Sequence, residues 1–416
     1  MTVKNKENKF AKMVGRQKLL QWENYVEGKS NDLNKINEKI FSLIKEIDEN
    51  KFEGRKRDYF NKIKLKYLIE NDPDVASLRN KLDDRANYNN DLDKSAEDYQ
   101  YRLALSLRED VVNLIKIRNQ KAKDYGFSGY PEMIFQSEEL DKEKVEEEIK
   151  DYLYSRIDKT NKLIEKYNLN WNEWFTKLRS IGELNYYNEP YHYIKCLFHK
   201  LGLESLQDNI RFEIKDQPIS GMAFPISIPD DIRILLKPTT SIMNCRTLFH
   251  ECGHAINYAS NKENGIFTIY TTFFDEFTAI LFENIGLKSC FSENEREIAN
   301  DIKLLETIRT SISFLFEMEL WKNPDNADKL FEEYQNILSI QSKRKEMWTL
   351  DTFRYIDPVY VHNYVLGEIY AQKVIDELER EYELNFEKWG QKIQNVFLKT
   401  GIKESFREKY NNLIKR

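Results

Sequence analysis

Apolar residues recur at intervals of three and four along most of the chain, which is the spacing of amphipathic helices. The clearest early example runs through Leu33, Ile36, Ile40 and Ile47. Further helices are predicted through Tyr67, over Leu103 to Asn119 and over Asp141 to Tyr167. We find no internal repeat and no low-complexity linker. The pattern therefore predicts a mainly helical protein.

One stretch departs from the helical spacing. Ile226 and Ile228, and then Ile232 and Ile234, alternate with other residues on either side of a Pro-Asp-Asp sequence. Alternation with a period of two around a turn predicts two short strands. An exposed strand edge can bind an extended peptide through main-chain hydrogen bonds. A purely structural hairpin is the alternative.

The next segment returns to helical spacing and carries two histidines. Its apolar positions are Met243, Leu248, Phe249, Cys252, Ala255, Ile256 and Ala259. His250 and His254 lie on one face of this helix, so both can reach one metal ion. Glu251 stands between them, in position to accept a proton from an activated water. Gly253 costs about 1 kcal/mol inside a helix relative to alanine, which a close approach by another segment would explain.

Two histidines are too few for zinc, which usually takes three protein ligands and leaves a fourth position open. After a polar break, we expect a second helix to begin near Thr272 and to stop at Gly286. If the two helices pack antiparallel, Glu276 returns to the histidines as the third ligand. Glu283 shares its face, and either Glu283 or Asp275 would hold a histidine ring through its second nitrogen.

The amino-acid composition limits the classes of protein to which this chain can belong. The 416 residues include only 14 glycines and 9 prolines, which agrees with a helical fold. Charged residues make up 32%, but the net charge of −6 is spread along the chain, without the basic patch that is typical of nucleic-acid-binding proteins. We find no signal peptide and no apolar run of membrane length, and the four cysteines lack zinc-knuckle or CxxC spacing. We therefore expect a cytoplasmic protein in a reducing compartment, without membrane or nucleic-acid partners. A monomer is expected, and an oligomer is the alternative.

The zinc segments carry a resemblance to a known family. Residues 247–256, followed by residues 275–283, resemble the thimet oligopeptidase and oligoendopeptidase F family of metallopeptidases. Related patterns occur in angiotensin-converting enzyme and in the thermostable carboxypeptidases of the same clan. Weaker resemblances lie at residues 114–130, 220–236 and 358–367.

The resemblance implies a mainly α fold in which two helical lobes flank a deep substrate channel, with a small β-hairpin or sheet beside the zinc helix. It places residues 1–130 in an N-terminal helical lobe and residues 131–416 in the catalytic region. Together with the strand pattern, it also suggests that Gly221, Met222 and Ala223 contact the substrate.

The segment from 358 to 367 is rich in tyrosine and resembles the one that lies over the active site in oligoendopeptidases. A positioned phenol or imidazole can donate to the oxyanion that develops during peptide hydrolysis. The resemblance places Tyr364 in that role, with Tyr360 and His362 as neighbours. The family usually has a histidine upstream of this tyrosine, and here Arg354 lies in that region. Three explanations are open: Arg354 donates to the oxyanion instead, His362 does so, or substrate binding differs.

These observations predict a zinc metallopeptidase with one Zn²⁺ per chain on His250, His254 and Glu276. Glu251 is the expected general base, and the substrates are expected to be short or unfolded peptides cut at internal bonds. A carboxypeptidase of the same clan is one alternative. A non-catalytic protein that contains zinc and binds peptides is the other.

Overall fold

The computed structural model describes residues 3–87, 97–182, 190–216, 219–238, 241–338 and 340–414. The α-helices are α1 Val3–Glu27, α2 Leu33–Lys45, α3 Gly54–Glu70, α4 Pro73–Asn87, α5 Glu97–Asp124, α6 Tyr130–Ser137, α7 Lys142–Tyr154, α8 Ile157–Tyr167, α9 Trp174–Ile181, α10 Pro190–Leu201, α11 Ile242–Ser260, α12 Thr272–Cys290, α13 Glu293–Lys322, α14 Ala327–Gln335, α15 His362–Tyr382, α16 Phe386–Ile393 and α17 Phe406–Ile414. Short 3₁₀ helices lie at Glu49–Lys51, Glu204–Asn209, Gly265–Thr268, Pro324–Asn326, Lys345–Leu350 and Thr352–Arg354, with a π-helical turn at Gln394–Leu398. The prediction of a mainly α fold is confirmed.

A small sheet is formed by β1 Ile210–Ile214, β2 Gly221–Ser227 and β3 Asp231–Leu236, in the order β1-β3-β2. Strands β2 and β3 pair antiparallel, so the predicted hairpin is confirmed, and both contact α11. Strand β1 pairs in parallel with β3 and was not predicted. The sheet therefore lies beside the helix that carries the two histidines.

The chain divides into two compact units. Unit 1 comprises Met1–Asn61, Leu178–Lys303 and Leu366–Arg416, and unit 2 comprises Lys62–Lys177 and Leu304–Val365. The sheet, α11 and α12 belong to unit 1. The boundary predicted at residue 130 lies inside unit 2. None of the helices described is long and apolar enough to cross a membrane.

A largely buried ion pair joins α3 and α5 in unit 2. Arg118 on α5 is inaccessible to solvent, and its Nη2 and Nε donate to Glu70 at 2.6 and 2.9 Å. The Tyr130 hydroxyl donates to the same carboxylate at 2.6 Å, and Asn119 accepts the Tyr130 backbone N–H. A buried charge is tolerated only when it is paired and hydrogen-bonded. Loss of Glu70 would leave Arg118 in the core without its salt bridge, whereas Glu70 also pairs with Arg79 at 3.1 Å.

The cysteines depart from their sequence-based interpretation. Cys245 and Cys252 are free and buried, as expected, but Cys196 on α10 is bonded to Cys290 at the end of α12. The two residues are 94 positions apart in sequence, so no spacing motif could indicate their pairing. From the sequence we expect a reducing compartment and predict no disulfide, so this bond was not anticipated.

Candidate metal centre

The two helices that carry the candidate ligands pack closely and run antiparallel. Helix α11 begins at Ser241, whose side chain accepts from the Asn244 backbone N–H, and α12 begins at Thr271, whose side chain accepts from Phe274. A Cβ atom on Gly253 would lie 2.7 Å from the Cα and 2.9 Å from the carbonyl oxygen of Ala279. The predicted close approach at Gly253 is confirmed, since only a residue without Cβ admits α12 this near.

Gly286 does not end α12, contrary to the sequence-based prediction. The helix continues to Cys290. A Cβ atom on Gly286 would lie 2.5 Å from the ring of Phe249, which occupies the space that the glycine leaves open. Gly286 therefore serves packing against α11 and not termination.

The structure brings His250, His254 and Glu276 together. Nε2 of His250 lies 3.2 Å from one carboxylate oxygen of Glu276, and Nε2 of His254 lies 3.9 Å from the other. One ligand atom from each of the three residues lies within 4.8 Å of the others. Tetrahedral zinc with bonds of about 2.0–2.1 Å places its ligands roughly 3.4 Å apart. Two imidazoles and a carboxylate at this spacing fit that ion.

The other ring nitrogens face two further acids of α12. Nδ1 of His250 lies 3.4 Å from Glu283 Oε2, and Nδ1 of His254 lies 3.1 Å from Asp275 Oδ1. The sequence left Glu283 and Asp275 as alternatives, whereas the structure places one beside each histidine. An acceptor at Nδ1 fixes the tautomer, so Nε2 is left with its lone pair for a metal.

Arg246 lies one helical turn before His250, and its Nε donates to Glu283 Oε1 at 2.8 Å. Burial would raise the pKa of Glu283, but the charge of Arg246 and the contact with His250 lower it to about 2. The Glu283 side chain is only 7% exposed, so this is a buried ion pair. Glu283 is therefore ionised across the physiological pH range.

Glu251 is buried and faces the hairpin. The backbone N–H of Ala223 donates to its carboxylate, and a Cβ atom on Gly221 would lie 2.9 Å from its Cγ. Burial raises the pKa of the Glu251 carboxyl, against the opposing effect of the two histidines. Of the residues predicted to contact substrate, Gly221 and Ala223 thus lie beside the predicted general base, whereas Met222 packs against the hydrophobic cluster of Trp22, Phe224 and Leu235.

The remaining predicted residues belong to unit 2. The Tyr360 ring stacks on Phe353 with centroids 5.3 Å apart and lies 5.5 Å from the Tyr364 ring. Arg354 is 2% exposed and forms ion pairs with Glu317 at 3.0 Å and with Asp351 at 2.9 Å.

His362 lies in an apolar environment of unit 2. Its ring centroid is 4.6 Å from that of Phe135 and 5.8 Å from that of Phe314. Neither ring nitrogen forms a hydrogen bond within the described residues. Burial, assisted by the charge of Lys66, lowers the pKa of His362 to about 3. The imidazole is therefore neutral at physiological pH.

Unit 2 also contains a cavity of about 400 Å³ that sequence reasoning missed. Its lining includes Tyr364, Arg354, Lys343 and Arg309 among aromatic side chains. The Arg309 guanidinium lies 4.4 Å from the centre of the Phe175 ring, and no carboxylate of the described residues forms a salt bridge with it. The segments that form the cavity are far apart in sequence, so no local pattern signalled it.

Comparison with known proteins shows similarity of structure without similarity of sequence. No family model matches the chain, and no curated protein sequence matches it. Metallocarboxypeptidase 1 from Trypanosoma cruzi has a TM-score of 0.71 at 14% identity, over 100% of this chain and 96% of that one. A carboxypeptidase from Deinococcus radiodurans has a TM-score of 0.71 at 10% identity, over 99% and 94%. A protein described as an oligoendopeptidase F from Bacillus anthracis has a TM-score of 0.57 at 14% identity, over 95% and 80%.

These similarities show that the chain has the mainly α fold of metallopeptidases. The fold extends over nearly the whole length of the carboxypeptidases and over less of the oligoendopeptidase. The resemblance to the oligoendopeptidase F and thimet family, drawn from the zinc segments, remains a prediction at the level of that particular family.

Proposed function

We propose that this protein is a zinc-dependent peptidase. The observation that carries the proposal is the convergence of His250, His254 and Glu276, with Glu251 following His250 on the same helix. Two imidazoles and one carboxylate are the donor set of many catalytic zinc sites and leave a fourth position open. The similarity of the fold to metallopeptidases supports the same conclusion.

Bound zinc supplies Lewis-acid activation of water and of the scissile carbonyl. The side chains of the protein bind the ion and orient its ligands. His250, His254 and Glu276 hold the ion, while Glu283 and Asp275 orient the two rings through their Nδ1 atoms.

Glu251 is the general base and, later in the reaction, the general acid. Its carboxylate accepts a proton from the attacking water and later delivers it to the leaving amine. Burial raises the pKa of the Glu251 carboxyl, which makes its carboxylate a stronger proton acceptor. Gly221 leaves room for the Glu251 side chain, and the Ala223 N–H fixes one of its oxygens.

The oxyanion donor is assigned by resemblance to Tyr364. The buried Arg354 is engaged with Glu317 and Asp351, and His362 is enclosed by aromatic rings. These surroundings favour Tyr364 over either residue. Tyr364→Phe removes only the hydroxyl, and we expect it to lower kcat while leaving zinc content unchanged.

The proposal is tested with Glu251→Gln and an internally quenched peptide library blocked at both ends. We expect chelator-sensitive cleavage by the wild-type protein, and loss of at least about a hundredfold in turnover in the variant, since general acid–base catalysis contributes 10²–10⁴. Zinc content should be equal in both proteins. Undiminished cleavage by the variant would remove Glu251 from the role of general base.

A carboxypeptidase is the second candidate, and the similarity of fold to carboxypeptidases over nearly the whole length of both chains favours it. Cleavage of a peptide with a free C-terminus, but not of its C-terminal amide, would establish this specificity. Cleavage of end-blocked peptides would establish internal cleavage, and zinc without cleavage would favour a peptide-binding protein.

A further inference from the structure

Four side chains form a stripe along α11 at intervals of four residues. They are Arg246, His250, His254 and Tyr258, and residues four apart lie on the same face of a helix. The two inner members are the candidate metal ligands. The two outer members each contact the carboxylate that lies beside Nδ1 of the nearer histidine.

At one end of the stripe, the Tyr258 hydroxyl donates to Asp275 Oδ2 at 2.5 Å. The other oxygen of Asp275 lies 3.1 Å from Nδ1 of His254, and the Asn257 amide is 3.4 Å from that same oxygen. Tyr258 is 6% exposed, and its ring is nearly parallel to that of His254, with centroids 6.1 Å apart. The tyrosine thus fixes the carboxylate on the side away from the histidine.

At the other end, Arg246 holds Glu283 in the same manner. Arg246 Nε lies 2.8 Å from one oxygen of Glu283, and His250 Nδ1 lies 3.4 Å from the other. Each carboxylate therefore bridges one ligand histidine and one outer member of the stripe. A carboxylate that bonds only to the histidine could rotate, whereas one held at both oxygens defines the plane of the ring.

We propose that Tyr258 and Arg246 are positioning residues that fix Asp275 and Glu283, and through them the two histidines, for metal binding. The inference rests on the zinc site of the proposed function. Neither residue is among the three candidate ligands. Residues that hold a metal-binding histidine contribute roughly ten- to a hundredfold in metal affinity.

Two variants test this without changing the net charge, which would itself alter cation binding. Tyr258→Phe removes one hydroxyl, and Arg246→Lys keeps the charge but loses the planar guanidinium. Tyr270→Phe is the matched control: Tyr270 is half-buried beside Tyr258, with ring centroids 5.5 Å apart, but its hydroxyl makes no hydrogen bond to Asp275. The zinc dissociation constant is measured by competition with a chromophoric chelator, and the unfolding free energy is measured on the metal-free proteins.

We expect Tyr258→Phe and Arg246→Lys each to raise the zinc dissociation constant by roughly tenfold, and Tyr270→Phe by less than about twofold. If the two variants are destabilised in the metal-free form but bind zinc as tightly as the wild type, Tyr258 and Arg246 have only a structural role. That result would overturn the inference. An equal loss of affinity in Tyr270→Phe would also overturn it. Failure of the wild-type protein to bind zinc would instead refute the proposed function, so the two failures are distinguishable.

Discussion

The contact between α11 and α12 at Gly253 predicts that Gly253→Ala destabilises the protein, although helix propensity alone predicts that it stabilises it. Alanine stabilises a helix by about 0.5–1 kcal/mol relative to glycine. In this structure the added Cβ atom would lie 2.7 Å from Ala279 Cα and 3.0 Å from Phe282 Cβ. Carbon atoms in contact prefer about 3.5–4.0 Å. Gly253→Ala therefore requires the two helices to separate by about 1 Å, because backbone atoms cannot rotate away.

Overpacking of this kind costs about 1–3 kcal/mol, which exceeds the gain in propensity. We expect the metal-free Gly253→Ala protein to be less stable than the wild type by about 1–2 kcal/mol, measured by urea unfolding. The same separation draws Glu276 away from the histidines, so zinc binding should weaken as well. A variant as stable as the wild type, with equal zinc affinity, would refute the account of this interface.

Three further predictions concern the site and its surroundings. Gly221→Ala places a Cβ atom 2.8 Å from Thr247 Cγ2 and 2.9 Å from Glu251 Cγ, so kcat should fall while zinc content stays at the wild-type level. Dialysis against a chelator should abolish cleavage, and added zinc should restore it; activity that survives metal removal would contradict the mechanism. His362 has a pKa of about 3 when folded and an ordinary value near 6.5 when unfolded, so the unfolded state binds more protons between these values and stability falls as pH drops through that window. His362→Phe should reduce this dependence by up to about 1.4 kcal/mol per pH unit in urea unfolding series, and an unchanged slope would count against the neutral buried imidazole.

Local patterns predicted much of unit 1. The helical spacing from Met243 to Ala259 corresponds to α11, and the alternating isoleucines correspond to the β2–β3 hairpin. The start of the second helix near Thr272 agrees with α12. These features depend on residues close in sequence, where periodicity and turn residues are informative.

Features that depend on distant residues were missed. The parallel pairing of β1 with β3 joins segments about twenty residues apart and has no local signal. Gly286 was read as a helix end because the ring of Phe249, which fills its open side, is distant in sequence. The bond between Cys196 and Cys290 was missed for the same reason.

Part of the surroundings of the candidate ligands could also have been predicted from the sequence. Arg246 and Tyr258 stand four residues outside His250 and His254, and that spacing was available in the sequence. What the sequence could not supply was the orientation of α12, which decides that one acid faces each histidine. Both Asp275 and Glu283 therefore remained alternatives until the structure placed them.

Zinc binding by the metal-free wild-type protein and by Glu276→Ala tests the central claim most directly. We expect one tightly bound zinc per chain in the wild type and loss of stoichiometric binding in the variant, since only two protein ligands would remain. Undiminished binding by Glu276→Ala would transfer the third ligand to Asp275 or Glu283. A wild-type protein that binds no zinc would contradict the assignment of the site.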